Sequence, residues 1–259
     1  MIIDASLARM EAIKEAKVLA ADPFWQPAFA GATIGQFPWS ARRKNILLHS
    51  RVDAGLALAQ AFQRTSKKPK VLIQSSGVGY YGAHEREPLN EDALAGSDFL
   101  ALLAAEWEAS TKIVDSLGVR RVITRSAVVL GNKGILPLMA LPVRMFAGGP
   151  LGNGQQGVSW IHIDDEVRAV RFLLENEKAR GVYNLAAPNP LSNEDFIRFM
   201  ARALNRPYWF PAPAFALRAL LGEMSTLLLD GQFVIPQRLV NLGFDFKFES
   251  AFDAFKDLF

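Results

Sequence analysis

Short runs of β-branched and aliphatic residues alternate along the chain with longer stretches whose apolar positions recur every three or four residues. That alternation marks a parallel sheet covered by helices. The first long helix is predicted to start at Ser40, a suitable N-cap, and to reach about residue 64, with Ile46, Leu47, Leu58, Ala59 and Phe62 on its buried side. A strand is expected at 70–75, an irregular polar segment at 77–96, and a helix at 99–117 with Phe99, Leu102, Leu103, Ile113 and Val114 inward. Gly118 ends that helix in the left-handed conformation that glycine adopts at little cost. Strands follow at 121–124 and 128–130, then a Gly/Pro-rich crossover at 131–157 and a strand at 159–163. A helix opened by Asp164 or Asp165 reaches about 177, before a strand at 183–186.

Beyond residue 186 the texture changes, because Pro188, Pro190, Pro207, Pro211 and Pro213 cannot sit in central strands. The expected division is a sheet-bearing part at 1–186 and a small, mostly helical lobe at 187–259. Within the lobe, Ser192 and Asp195 have the spacing of a capping box that opens a helix through Phe196, Ile197, Met200 and Leu204. Residues 213–229 supply a second helical stretch, and the ending predicts a turn at Gly243, an alternating strand and a last helix.

A 259-residue chain with 50% apolar and 21% charged residues is a folded globular protein, and dominant disorder is excluded. The longest uncharged run, 145–163, is rich in Gly, Gln and Pro, so no membrane span is expected. With acidic residues in the first segment, no apolar block before a cleavage site and no cysteine, the expectation is a cytoplasmic protein without disulfide or thiol chemistry. The basic clusters at 42–44 and 67–70 lack interleaved aromatics, which argues against a nucleic-acid partner. His49, His84 and His162 show no metal-ligand spacing, so no metal site is predicted.

Gly77-Val78-Gly79-Tyr80-Tyr81-Gly82 satisfies G-x-G-x-x-G after a strand. That pattern binds a pyrophosphate where the glycine N–H groups open a helix, whereas residues 83–88 form a polar turn. The glycines are therefore read as a turn.

A strand ending in Ser75-Ser76, a glycine turn and then Tyr81-Gly82 resembles the S-S-x-x-x-Y-G segment of extended short-chain dehydrogenases/reductases. Ala30-Gly31-Ala32 at a strand end, Arg125 after a strand, and Trp160-Ile161-His162-Ile163-Asp164-Asp165 before a helix agree in order and spacing. The segments PWSARRKNILLHSR, SSGVGYYG, DFLALLAAEWEAS, GGPLGNG, SWIHIDD, NLAAPNP, PAPAFALRALLGEMSTLLL and RLVNLGFDFKF are together similar to the atypical SDR39U-type branch of epimerase family proteins, across about residues 28–257. The resemblance implies an α/β fold: a Rossmann-type parallel sheet, N-terminally truncated, with a small, mostly helical C-terminal lobe of unknown function. It implies binding of NADP or NAD and an epimerase, dehydratase or oxidoreductase reaction on a small-molecule substrate, a nucleotide sugar being among the candidates. Ala30, Gly31, Ser75 and Arg125 are the cofactor contacts it implies.

Two departures from the family bear on the chemistry. Its members open with a strand and a G-x-x-G-x-x-G fingerprint, whereas no glycine precedes Gly31 here, and residues 4–19 read as one helix followed by Pro23 and Pro27. Most of the nucleotide-binding half is thus expected to be missing, cofactor binding impaired, and the strand ending at Ala30 left at an exposed sheet edge. The superfamily's Tyr-x-x-x-Lys pair, in which Lys lowers the Tyr pKa, would fall near Asp98 and Leu102, and no Tyr or Lys lies between Asn90 and Thr111. The same pair is lacking across this branch. Tyr81 or Tyr80 beside Ser76, or His162 across the cleft, are the candidate catalytic substitutes.

Each has an ordinary alternative. The commoner fate of Tyr81 is a buried aromatic with a bonded hydroxyl, and that of His162 a local hydrogen-bonding group beside a helix that Asp164 or Asp165 caps. The loop at 148–154 either closes over substrate or turns the chain, and Arg51, Arg125 and Arg144 are candidate anion contacts. A non-catalytic scaffold or regulator on a degenerate enzyme fold is the alternative function that the missing pair favours.

Overall fold

The computed structural model describes residues 25–28, 31–84, 87–209 and 211–259, the first four by their backbone alone. Ala30 and the helix expected at 4–19 lie outside the described residues. The chain opens with strand β1 (Trp25–Ala28), helix α1 (Ala41–Arg64) and strand β2 (Val71–Gly77). Ser40 caps α1 by accepting the Arg43 N–H, and Leu47, Ala59 and Phe62 face inward while Ile46 is exposed. Strand β3 (Pro88–Leu89), helix α2 (Phe99–Ala109), strands β4 (Arg120–Ser126) and β5 (Val128–Leu130) and helix α3 (Leu136–Arg144) follow. Strands β6 (Gly157–Val158) and β7 (Trp160–His162), helix α4 (Ile163–Glu175) and strand β8 (Gly181–Leu185) complete this part.

Four strands make one parallel sheet in the order β1-β2-β4-β8, and no strand lies outside β1 among the described residues. Strand β2 is buried along its whole length. Leu72 packs with Ala59 and Phe62 of α1, and Val71 and Ile73 with Ala169 and Leu173 of α4, so alternate side chains meet helices on opposite faces. The sequence is thus an α/β layered fold.

Two expected elements take a different form here. The helix expected at 99–117 stops at Ala109, where Ser110 Oγ donates back to the Trp107 carbonyl and Thr111 Oγ1 turns to Gln74, and a 3₁₀ turn covers Lys112–Leu117. Its buried face carries Ala101, Leu103, Ala104, Trp107 and Glu108, with Leu102 and Ile113 outside. The crossover at 131–157 holds α3, with Pro137 in the first turn, where a missing N–H leaves no helix bond unmade. Gly118 does adopt left-handed backbone, at φ 73°.

The C-terminal part contains strand β9 (Leu191–Ser192), helices α5 (Asn193–Ala203), α6 (Ala214–Leu221) and α7 (Thr226–Leu229), strand β10 (Phe233–Val234), and helices α8 (Gln237–Asn241) and α9 (Ala251–Leu258). Ser192 accepts the Asp195 N–H as the capping box predicts. Phe196, Ile197 and Met200 of α5 and Phe255 of α9 share a core with Leu136, Ala140 and Val143 of α3. After Gly243 the side chains of Phe244, Phe246 and Phe248 alternate inward, yet this stretch forms no strand, because the N–H groups of Lys247 and Phe248 donate to the Asp165 carboxylate. No helix among the described residues is long and apolar enough to cross a membrane.

Candidate functional site

The C-terminal ends of β2 and β4 carry a buried polar network. Ser76 Oγ donates to Glu108 of α2 at 2.6 Å, and Glu108 takes a two-pronged ion pair from Arg125, at 2.8 Å for each bond. Arg125 also donates to the Tyr81 hydroxyl at 3.0 Å and lies 3.3 Å from the Tyr80 ring centre. Tyr81 in turn donates to Asn184 Oδ1 of β8 at 2.7 Å, and the Asn184 N–H reaches Glu91 at 3.0 Å.

Burial works against charge on Arg125, but the Glu108 hydrogen bonds and charge outweigh it and raise the Arg125 pKa above the ordinary arginine value. Burial likewise raises the Tyr81 hydroxyl, with Arg125 pulling the other way. Three of the sequence candidates, Ser76, Tyr81 and Arg125, are therefore brought together, each with its polar atoms committed to neighbours inside the protein. Glu108 was missed by sequence reasoning. Its signal was present: a carboxylate four and seven residues beyond the small residues Ala104 and Ala101 lies on the inward face of α2.

The glycine pattern folds as expected for a turn. Residues Val78–Tyr81 form a 3₁₀ turn, Gly82 has φ 67°, and a Cβ there would lie 2.8 Å from Asp98 Oδ2. No α-helix starts from these glycines, so they do not form the phosphate cradle of the fingerprint.

His162 lies elsewhere. Its Nδ1 accepts the Asp164 N–H at 3.2 Å, so His162 itself, and neither Asp164 nor Asp165, caps α4. The ring packs 3.9 Å from that of Phe248, and Nε2 lies 3.3 Å from Asp257 Oδ2. Burial lowers the His162 pKa, against the pull of Asp164, Asp257 and Asp165. Among the described residues no contact joins it to the Tyr81 network. Ser75 differs from its neighbours: its Oγ is fully buried and has no hydrogen-bond partner. At Gly31 a Cβ would lie 2.6 Å from the guanidinium carbon of Arg51, which packs 5.3 Å from the Trp107 ring.

The large cavity, about 690 Å³, opens next to these strand ends rather than on them. It begins at Val78 and Val128, just past β2 and β4, and extends between α3 and the C-terminal helices. The glycine loop at 148–154 contributes Gly148, Gly149 and Leu151 to its wall. Trp160 is buried out of it, and the adjacent Ser159 lines it instead. Gln156, Asp230 and Gly231 are shared with a neighbouring hollow of about 590 Å³ that carries His84. Burial raises the Asp230 pKa, with Arg218 opposing. Neither Gln156 nor Asp230 carried any sequence signal, since both matter only through where the lobe returns to the sheet.

A parallel sheet with helices on both faces, polar strand ends and a cavity beyond them defines a Rossmann-type protein. Residues 28–186 match the NAD dependent epimerase/dehydratase family, and residues 212–258 match a domain of unknown function, DUF1731. The chain belongs to the NAD dependent epimerase/dehydratase family. It is 40% identical over 211 residues to the epimerase family protein YfhF of Bacillus subtilis, covering 81% of this chain and 70% of that one. To the chloroplastic SDR39U1 homolog of Arabidopsis thaliana it is 36% identical over 271 residues, covering 98% and 78%. The crystal structure of human epimerase family protein SDR39U1 with NADPH superposes with a TM-score of 0.86 at 32% identity, covering 91% of this chain and 81% of that one.

Proposed function

We propose that the chain is an NAD(P)-dependent oxidoreductase or epimerase whose small-molecule substrate sits in the 690 Å³ cavity. One observation carries the reading: the cavity starts at Val78 and Val128, immediately beyond the carboxyl ends of two neighbouring parallel strands, where open α/β sheets place their ligands. The NADPH in the structure of the human relative supports the cofactor class.

The residues present fit one end of a dinucleotide. The orphaned, buried Ser75 Oγ near the end of β2 is a group held ready to hydrogen-bond, and Gly31, beyond the neighbouring strand β1, lets the Arg51 guanidinium pack against its backbone, a cation beside these strand ends. The bound nicotinamide would supply hydride exchange. Arg125, Glu108, Ser76 and Tyr81 act as positioning residues that fix the Gly77–Gly82 turn against the sheet, and Arg125, neutralised by Glu108, is not a phosphate contact.

NADPH fluorescence titration tests this. Binding by the wild-type chain is expected, weakened about fivefold by Ser75→Ala, a loss of one hydrogen bond, without loss of stability because Ser75 Oγ bonds nothing in the folded protein. A folded chain that takes up no NADPH overturns the reading. The committed hydroxyl of Tyr81 favours a second one, a non-catalytic scaffold or regulator, which that outcome would support.

A further inference from the structure

Resting on the reading that this cavity holds the substrate, we infer that it takes an uncharged, mainly apolar molecule bearing an N–H or O–H donor, and that it rejects nucleoside-diphosphate sugars. The walls are aliphatic: Leu138, Met139, Val158, Leu217, Leu221 and Leu228 among them. Among the described residues no Lys, Arg or His lines it, and the one ionisable group among them is the carboxylate of Asp230. A diphosphate needs cations or free N–H groups, and a carboxylate repels it. The N-terminus of α5 offers none, because the first N–H groups, those of Asn193, Glu194 and Asp195, donate to Gln156 O, Gly154 O and Ser192 Oγ.

Most polar side chains of the wall are occupied in building it. Ser159 Oγ donates to the Gln232 carbonyl and accepts the Val234 N–H, Gln232 Nε2 donates to the Val78 carbonyl, and Asn193 Oδ1 accepts the Leu151 N–H. Gln156 is the exception. Its Nε2 donates to the carbonyls of Leu151 and Leu228, which fixes the amide orientation, and its Oε1 is buried with no partner. A buried acceptor left open in an apolar cavity calls for a donor on the ligand.

The test is fluorescence titration of the full chain with N-phenyl-1-naphthylamine, an uncharged aromatic probe with one N–H, in competition with UDP-glucose. The probe is expected to bind, to bind about fivefold more weakly when its nitrogen is methylated, and to resist displacement by UDP-glucose. Leu138→Glu, at a 62% exposed rim position, should weaken it about tenfold. Leu94→Glu, 85% exposed and outside the cavity, should leave it unchanged. Displacement by UDP-glucose, or equal probe binding by the Leu138→Glu chain, overturns the inference. A parallel NADPH titration separates the two readings: lost NADPH binding with the probe still bound sinks the cofactor reading alone, and UDP-glucose binding with NADPH intact sinks this one alone.

Discussion

Gly231 and Gly157 lie backbone against backbone: a Cβ at 231 would stand 2.0 Å from the Gly157 carbonyl oxygen, and one at 157 would stand 2.5 Å from the Gln232 carbonyl carbon. The contact seats the segment leading from α7 to β10 on the sheet-bearing part, and Ser159 clamps it from the next residues. Because both obstacles are backbone, neither can swing aside. Gly231→Ala is expected to lower stability by about 1–3 kcal/mol in urea denaturation. Gly118→Asn, at a left-handed position with nothing within 4 Å, should cost less than about 1 kcal/mol. Equal losses for the two would show that the close approach is not what holds the lobe.

Arg125 and Glu108 are both buried, so breaking their pair from one side strands a charge. Arg125→Met is expected to cost about 3–5 kcal/mol. Adding Glu108→Gln removes the stranded charge and should return at least about 1 kcal/mol of it, measured as a double-mutant cycle. Tyr81→Phe leaves Asn184 Oδ1 and one Arg125 N–H unsatisfied, a loss of about 1–3 kcal/mol. Strictly additive losses for Arg125 and Glu108 would contradict the network.

These two cases show where sequence stops informing. Helix α1, its Ser40 cap, the left-handed Gly118 and the Ser192 capping box were legible because each depends on residues within one turn of one another. So was the sheet, since buried parallel strands leave a continuous apolar run. The candidates Ser76, Tyr81 and Arg125 were found, but their roles were not, because Glu108 and Asn184 arrive from other elements and decide which hydroxyl or guanidinium atoms stay open. For His162 the local hydrogen-bonding reading matches its bond to the Asp164 backbone N–H, but the cap of α4 was assigned to Asp164 or Asp165 and is His162 itself. Gln156 and Gly231 gave no signal at all, because their partners are the carbonyls of Leu228 and Gly157 across the fold.

Asp165 stands in for a missing strand. Its carboxylate, fully buried, accepts the N–H groups of Lys247 and Phe248 at 2.9 and 2.8 Å and the Arg168 guanidinium at 2.6 Å. The alternating phenylalanines at 244, 246 and 248 are thereby pinned to the core without a ladder partner. Asp165→Ala is expected to cost about 2–4 kcal/mol, since hydrogen bonds to a charged acceptor are the stronger kind. Amide exchange at Lys247 and Phe248 should accelerate while the amides of β4 stay protected. Uniform acceleration across both would mean that Asp165 supports the whole fold rather than this strap.

His162 makes stability depend on pH in a direction that follows from its tautomer. With Nδ1 accepting the Asp164 N–H, the folded ring is neutral, and burial lowers its pKa below the usual 6.5. The folded state then binds fewer protons than the unfolded one in the interval beneath that value. Stability from this group is fully present above about pH 6.5 and is lost as pH falls toward the folded pKa, by at most about 1.4 kcal/mol per pH unit. Glu91, raised by burial, works the other way: its folded state holds its proton longer, so its contribution declines as pH rises from the ordinary carboxylate range. His162→Asn keeps an N-cap acceptor and removes the titration. Its stability should therefore change less between pH 7 and pH 5.5 than that of the wild type, whatever the loss from the smaller side chain at fixed pH. Parallel stability profiles for the two proteins over that interval would show that His162 is not the group responsible.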